Sequence, residues 1–193
     1  LLGSLMLKMG FCTMLVKWIM VYLCFVTYSF NPNGQKVGHI KPSKGIRQGD
    51  PLSPYLFIIC AESLSSLLKK AVAENELTGI KICRDSPAIN HLFFAADSLL
   101  CCKASKHEAL KVKDILTKYG KASGKVVNFD KSVIFYSKNT TEQIKQEVSK
   151  GLDNMREAIN GTYLGLPMAI GRSKTQVFGF VNSRISIKVQ GWK

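Results

Sequence analysis

The sequence predicts an α+β domain, and three observations carry that prediction. Apolar residues recur at three- and four-residue intervals in several long stretches, the spacing of helices with one buried face. Between them lie short runs of β-branched and aromatic residues, paired across turn residues as hairpins rather than set in regular βαβ units. With 193 residues and 46% apolar content, the chain can bury a core of its own.

In order along the chain, Gly3–Met20 is predicted helical, with Leu5, Met9, Leu15 and Ile19 inward and a break near Gly10. Cys24–Phe30 reads as a strand that turns at Asn31-Pro32-Asn33-Gly34 and pairs with Lys36–Ile40. A loop rich in glycine, proline and bases covers Lys41–Asp50. A long helix follows from Ser53 to about Glu74, with Ser53 as cap, Pro54 in the first turn, and Leu56, Cys60, Leu64, Leu67 and Ala71 on one face. Ile80–Cys83 and Ala88–Phe94 are expected strands, and Ser98–Cys102 pairs with His91–Phe94 around a turn at Ala95-Ala96-Asp97. Ser105 and Glu108 form a capping box for a helix to about Tyr119, whose stripe is Ala109, Val112, Leu116 and Tyr119, with Ile115 beside it. Val126–Phe129 and Val133–Ser137 are short strands. Thr140 and Thr141 cap a helix presenting Ile144, Val148 and Leu152, and a last helix starts at Ser173 and runs toward Trp192.

Charge narrows the partners. Twenty-seven Lys and Arg against 13 acids leave +14, a balance that favours a polyanion but also fits a plain solvated basic surface. Residues 1–100 carry 10 bases and 6 acids, residues 101–193 carry 17 and 7, so the C-terminal half is the better phosphate-facing candidate. Six cysteines without Cys-x-x-Cys spacing argue against a zinc site and for a reduced, intracellular protein, nuclear or cytoplasmic. Trp18–Phe30 lacks the small-residue end of a signal peptide, and Lys17 interrupts the only window near the ~20 apolar residues a spanning helix needs. No membrane role is expected, and nothing in the sequence points to a particular protein partner. His39, His91 and His107 have no acid or cysteine at ligand spacing.

Two segments carry the chemistry. Gly45-Ile46-Arg47-Gln48-Gly49-Asp50-Pro51-Leu52-Ser53-Pro54-Tyr55-Leu56-Phe57 is a glycine-bearing loop that leads into a helix N-terminus, where backbone can approach a phosphate. Arg47 can pair with phosphate there, and Gln48 can hydrogen-bond a base or sugar edge. Asn90-His91-Leu92-Phe93-Phe94-Ala95-Ala96-Asp97-Ser98-Leu99-Leu100 is a hairpin with a single acid at its bend. Together they resemble the reverse transcriptases of plant non-LTR (LINE-type) retrotransposons, whose hairpin typically reads Phe-Ala-Asp-Asp where this chain reads Phe94-Ala95-Ala96-Asp97.

The resemblance covers the whole chain and implies a partial polymerase palm over residues 1–160, running into the palm–thumb junction and the start of the thumb over 161–193. It implies an RNA template, a DNA primer and two Mg²⁺ ions, and it marks Arg47, Gln48, Gly49, Pro51 and Ser53 as template- or nucleotide-binding. Lys131, within Asn128–Ser132, would lie near the incoming triphosphate, and Leu164 and Gly165 would abut the primer. Asp97 would be the residual metal-site carboxylate beside a degenerate Ala96. Leu1–Cys12 resembles the helix that follows the family's first catalytic strand, so the chain, opening at Leu1, reads as a fragment lacking the first carboxylate. A methyl group cannot coordinate a cation. The expected activity is therefore an RNA-directed DNA polymerase fold that is inactive in this copy. The alternative is a non-catalytic basic nucleic-acid-binding protein.

Overall fold

The structure is a computed structural model that describes residues 1–43, 45–95, 97–128, 130–158, 162–168 and 174–192. It mixes helices with short strands, in accord with the α+β expectation. The expected break near Gly10 is present and divides the N-terminal stretch into helices α1 (Leu2–Lys8) and α2 (Thr13–Cys24); Gly10 has a φ of +88°, open to glycine at no steric cost. Their inward residues are Met6 and Val16. Met9 and Leu15, expected inward, are exposed, because the break resets the helical phase. Helix α2 also runs on to Cys24, so the expected strand shrinks to β1 (Tyr28–Phe30), which pairs antiparallel with β2 (Val37–Ile40).

Helix α3 (Ser53–Ala73) and helix α4 (Lys106–Ser123) hold the core. Leu64, Leu68 and Ala71 of α3 meet Val112, Ile115 and Tyr119 of α4, with Leu77 closing the cluster. Ile115 lies in the cluster and Leu116 only against it, the reverse of their expected ranks. Each leucine, isoleucine or valine among them gains about 1.5–3 kcal/mol on full burial. Helix α4 starts at Ser105, whose hydroxyl accepts from the Glu108 N–H (3.3 Å), and ends at Gly124 in the left-handed region. It runs a turn beyond Tyr119. Helix α5 (Glu142–Gly151) packs on α4, Gly151 lying so close to Ala109 that an added Cβ would sit 3.2 Å from its methyl carbon. On α5, Val148 is buried but Ile144 is exposed.

The strands form four separate two-stranded ladders among the described residues. Hairpin β3 (His91–Phe94) and β4 (Asp97–Leu100) lies on the helical core through Phe93 and Leu100. Of the expected strands at 80–83 and 88–90, one bridge between Ile80 and Ile89 remains. Residues 126–128 are not strand, and Val133–Ser137 shortens to β5 (Val133–Ile134), which pairs in parallel with an unforeseen β6 (Arg156–Glu157). Last come β7 (Thr162–Tyr163), β8 (Leu166–Pro167) and helix α6 (Lys174–Gln190). The expected boundary at residue 160, together with Ala96, Phe129 and Ser173, lies outside the described residues.

Candidate nucleic-acid interface

The loop before α3 is built around one carboxylate. Asp50 is 7% exposed, and its two oxygens serve different elements. Oδ1 accepts the Leu52 N–H at 2.8 Å, which starts α3, while Oδ2 accepts the Tyr22 hydroxyl from the end of α2. Ser53 does not cap the helix as expected. It is the first helical residue, and its hydroxyl donates to the Arg47 carbonyl at 2.6 Å, folding the loop back on itself. No side chain caps the helix; Asp50 instead closes an Asx turn onto Leu52, the residue just before it. Gly45 and Gly49 have φ of +92° and +80°, values that favour glycine and permit the tight course. Arg47, Gln48, Gly49 and Pro51 all lie on the outside of this frame, with Gln48, Gly49 and Pro51 exposed beside Ser53.

The electrostatics agree with that frame. The hydrogen bond from Tyr22, the Leu52 N–H and the nearby Arg47 hold the Asp50 carboxyl below its ordinary value, and the same carboxylate pushes the Tyr22 phenol up. No ion pair among the described residues holds the Arg47 guanidinium. Only six bases, Lys69, Lys70, Lys111, Lys113, Lys118 and Lys145, are paired among those residues, so most of the positive excess stays available to a polyanion. A cleft of about 620 Å³ opens beside the loop, between Arg47 and the end of α2. Sequence reasoning singles out neither Asp50, Tyr22 nor the cleft. The Asp50-Pro51 step before a helix is a local signal for the first. The 28-residue link to Tyr22 has none.

Asp97 stands elsewhere. It is not in the turn: it opens β4 and pairs with Phe94, leaving Ala95 (φ +48°) to bend the chain. Alternation places Asp97 with Leu92 and Phe94 on the outward face, and the two apolar residues are 47% and 61% exposed. The opposite face carries His91, whose Nε2 meets Ser65 Oγ of α3 at 3.0 Å. Among the described residues, no group of three or more His, Cys, Asp or Glu could hold a metal ion, and Asp97 is one carboxylate on its own. A two-ion Mg²⁺ site does not fit these residues.

Lys131 is exposed, and its N–H bonds the Asn128 carbonyl at 3.3 Å in a tight turn. No hydrogen bond or ion pair among the described residues connects Lys131 or Asp97 to the Arg47 loop. Leu164 and Gly165, both at positive φ (+53° and +78°), form the two-residue tip between β7 and β8, a hairpin where only a strand end is expected from the sequence. All six cysteines are free. No helix among the described residues is long and apolar enough to cross a membrane.

The chain is α+β, with a glycine-bearing loop entering a long helix and, after it, an apolar hairpin whose second strand opens on Asp97. The family model for reverse transcriptase (RNA-dependent DNA polymerase) matches residues 4–168, and the chain belongs to that family. Among curated proteins, an uncharacterized mitochondrial protein of Arabidopsis thaliana is 50% identical over 76 residues. That alignment covers 39% of this chain and 62% of the relative, so the chain spans under two thirds of the relative's length.

Proposed function

We propose that this chain is the palm portion of a non-LTR (LINE-type) plant reverse transcriptase that keeps a template-binding loop and does not catalyse nucleotidyl transfer. The observation that carries this reading is the Arg47–Ser53 loop. Its backbone is held at both ends by Asp50 and Ser53, while Arg47 has no ion-pair partner among the described residues and Gln48 is exposed. Arg47 would take a template phosphate and Gln48 a sugar or base edge. Lys131 would hold a second phosphate, and the Leu164–Gly165 tip would lie against the primer. The Arabidopsis relative supports the plant assignment.

Loss of activity follows from Phe94-Ala95-Ala96-Asp97. Transfer by this class relies on two divalent ions to activate the attacking oxygen and stabilise the leaving one. Ala96 supplies no oxygen ligand beside Asp97. An intracellular place of action, nuclear or cytoplasmic, belongs to the same proposal.

The test is titration of the purified chain with an RNA–DNA primer–template at several salt concentrations. Steep salt dependence is expected, with no primer extension in Mg²⁺. Arg47→Gln and Lys131→Gln each leave one phosphate without its cation, so each should flatten the salt slope by about one. Binding that ignores salt, or Mg²⁺-dependent extension, overturns the proposal.

A further inference from the structure

The cleft at the end of α2 has a chemistry of its own. Trp18, Tyr22 and Phe25 follow one another at four- and three-residue spacing, which brings them to one side of the helix end, and all three line the cleft. Trp18 is 66% exposed and Phe25 78%. Val21, Val26 and Thr27 complete the walls, and Arg47 is the only charged residue among the described ones that line it. Its volume lies within the roughly 300–1,000 Å³ of small-ligand sites.

Such walls select for a flat, weakly hydrated ring. A single Arg beside them selects for an anion next to that ring. The Tyr22 hydroxyl is already committed to Asp50, so the side chain is fixed with its ring toward the cleft, and the same bond ties the cleft wall to the loop bearing Arg47. Asp50 therefore links the cleft's aromatic platform to the loop that carries Arg47.

We propose that this cleft receives one unpaired nucleobase of a single strand, stacked on the α2 aromatics, with Arg47 holding the adjoining phosphate. The inference rests on the nucleic-acid reading above and adds a stacking site to it. Every base has a π-face, so the cleft would bind without sequence preference and would read the absence of pairing. A planar apolar ligand without phosphate would leave Arg47 unused, and a duplex would present no free ring.

The chain has two tryptophans, so Trp192→Phe leaves Trp18 as the sole reporter. In that background, a short oligoadenylate should quench Trp18 emission, and an abasic strand of the same length and charge should not. Trp18→Leu should weaken oligoadenylate binding about tenfold and Trp18→Phe should restore most of it. Trp18 is exposed, so neither change disturbs the core. Equal quenching by the abasic strand, or unchanged affinity in Trp18→Leu, overturns the inference. If strands bind with the full salt slope while Trp18 emission stays unmoved, the stacking site falls and the proposed function stands. If no strand binds, both fall.

Discussion

Among single residues, His91 makes the hairpin that bears Asp97 depend on a titratable group. His91 touches Ser65 on α3, and its burial, with Lys69 nearby, lowers its pKa from the ordinary 6.5, against a smaller opposing pull from Glu62. A histidine whose folded value is depressed binds fewer protons folded than unfolded. Its contribution is therefore intact above pH 6.5 and is lost as pH falls through 6.5 toward the lowered folded value. Thermal unfolding at pH 7.5 and pH 5.5 should show a smaller loss of Tm for His91→Gln than for the parent chain. An equal loss in both would place the pH sensitivity elsewhere. Leu164 is a second such residue. A non-glycine side chain at φ +53° costs on the order of 1 kcal/mol, and Asn tolerates that conformation better. Leu164→Asn should raise Tm slightly, and a fall would mean that the leucine packs at the tip.

Among the elements, α4 is fastened by Glu108 more than by its surface ion pairs. The carboxylate is 5% exposed, and Oε2 accepts the N–H groups of Thr78 (3.0 Å) and Lys103 (2.9 Å). It thus joins the exit of α3 to the entry of α4 instead of completing the capping box suggested by Ser105-Lys106-His107-Glu108. Removing it leaves two partly buried donors unpaired, and Glu108→Ala should cost about 2–4 kcal/mol in urea unfolding. Exposed pairs such as Lys118–Asp114 contribute far less, about 0–1 kcal/mol. A Glu108→Ala loss no larger than that of Asp114→Ala would refute the staple. Helix α3 is legible in the sequence because its buried face repeats at helical spacing. The bond from Thr78 to Glu108, 30 residues away, is not, because no local pattern encodes it.

Across the whole molecule, charge and carboxylates are unevenly supplied: the net charge is +14, while no group of three potential metal ligands forms among the described residues. Ala96→Asp adds one carboxylate next to Asp97, and no group of three potential ligands exists among the described residues to complete the set. Primer extension by Ala96→Asp should therefore stay undetectable, while binding of primer–template changes little. Extension by that single variant would mean that the metal site assembles from acids placed elsewhere. Cysteine chemistry checks the core in the same preparation. Burial pushes the Cys102 thiol up to about 11, whereas Cys12, Cys24 and Cys83 are exposed. Alkylation at neutral pH should label those three well before Cys102. Prompt labelling of Cys102 would mean an open core.

Neighbours along the chain are enough to set the fold class, the helices α3, α4 and α5, the hairpin β3–β4 and the reverse-transcriptase family, because periodicity and contiguous motifs are local properties. They also mark Arg47 and Ala96 as the residues on which the proposed binding and the proposed loss of chemistry rest. The assembled fold alone establishes that Asp50 bridges to Tyr22, that β5 pairs in parallel with β6, that Asp97 lies inside the ladder, and that α2 presents its aromatics to a cleft beside Arg47. Each of these depends on groups brought together from distant positions or on the phase of a helix after a break. Those are set by packing of the folded chain, which no local spacing records.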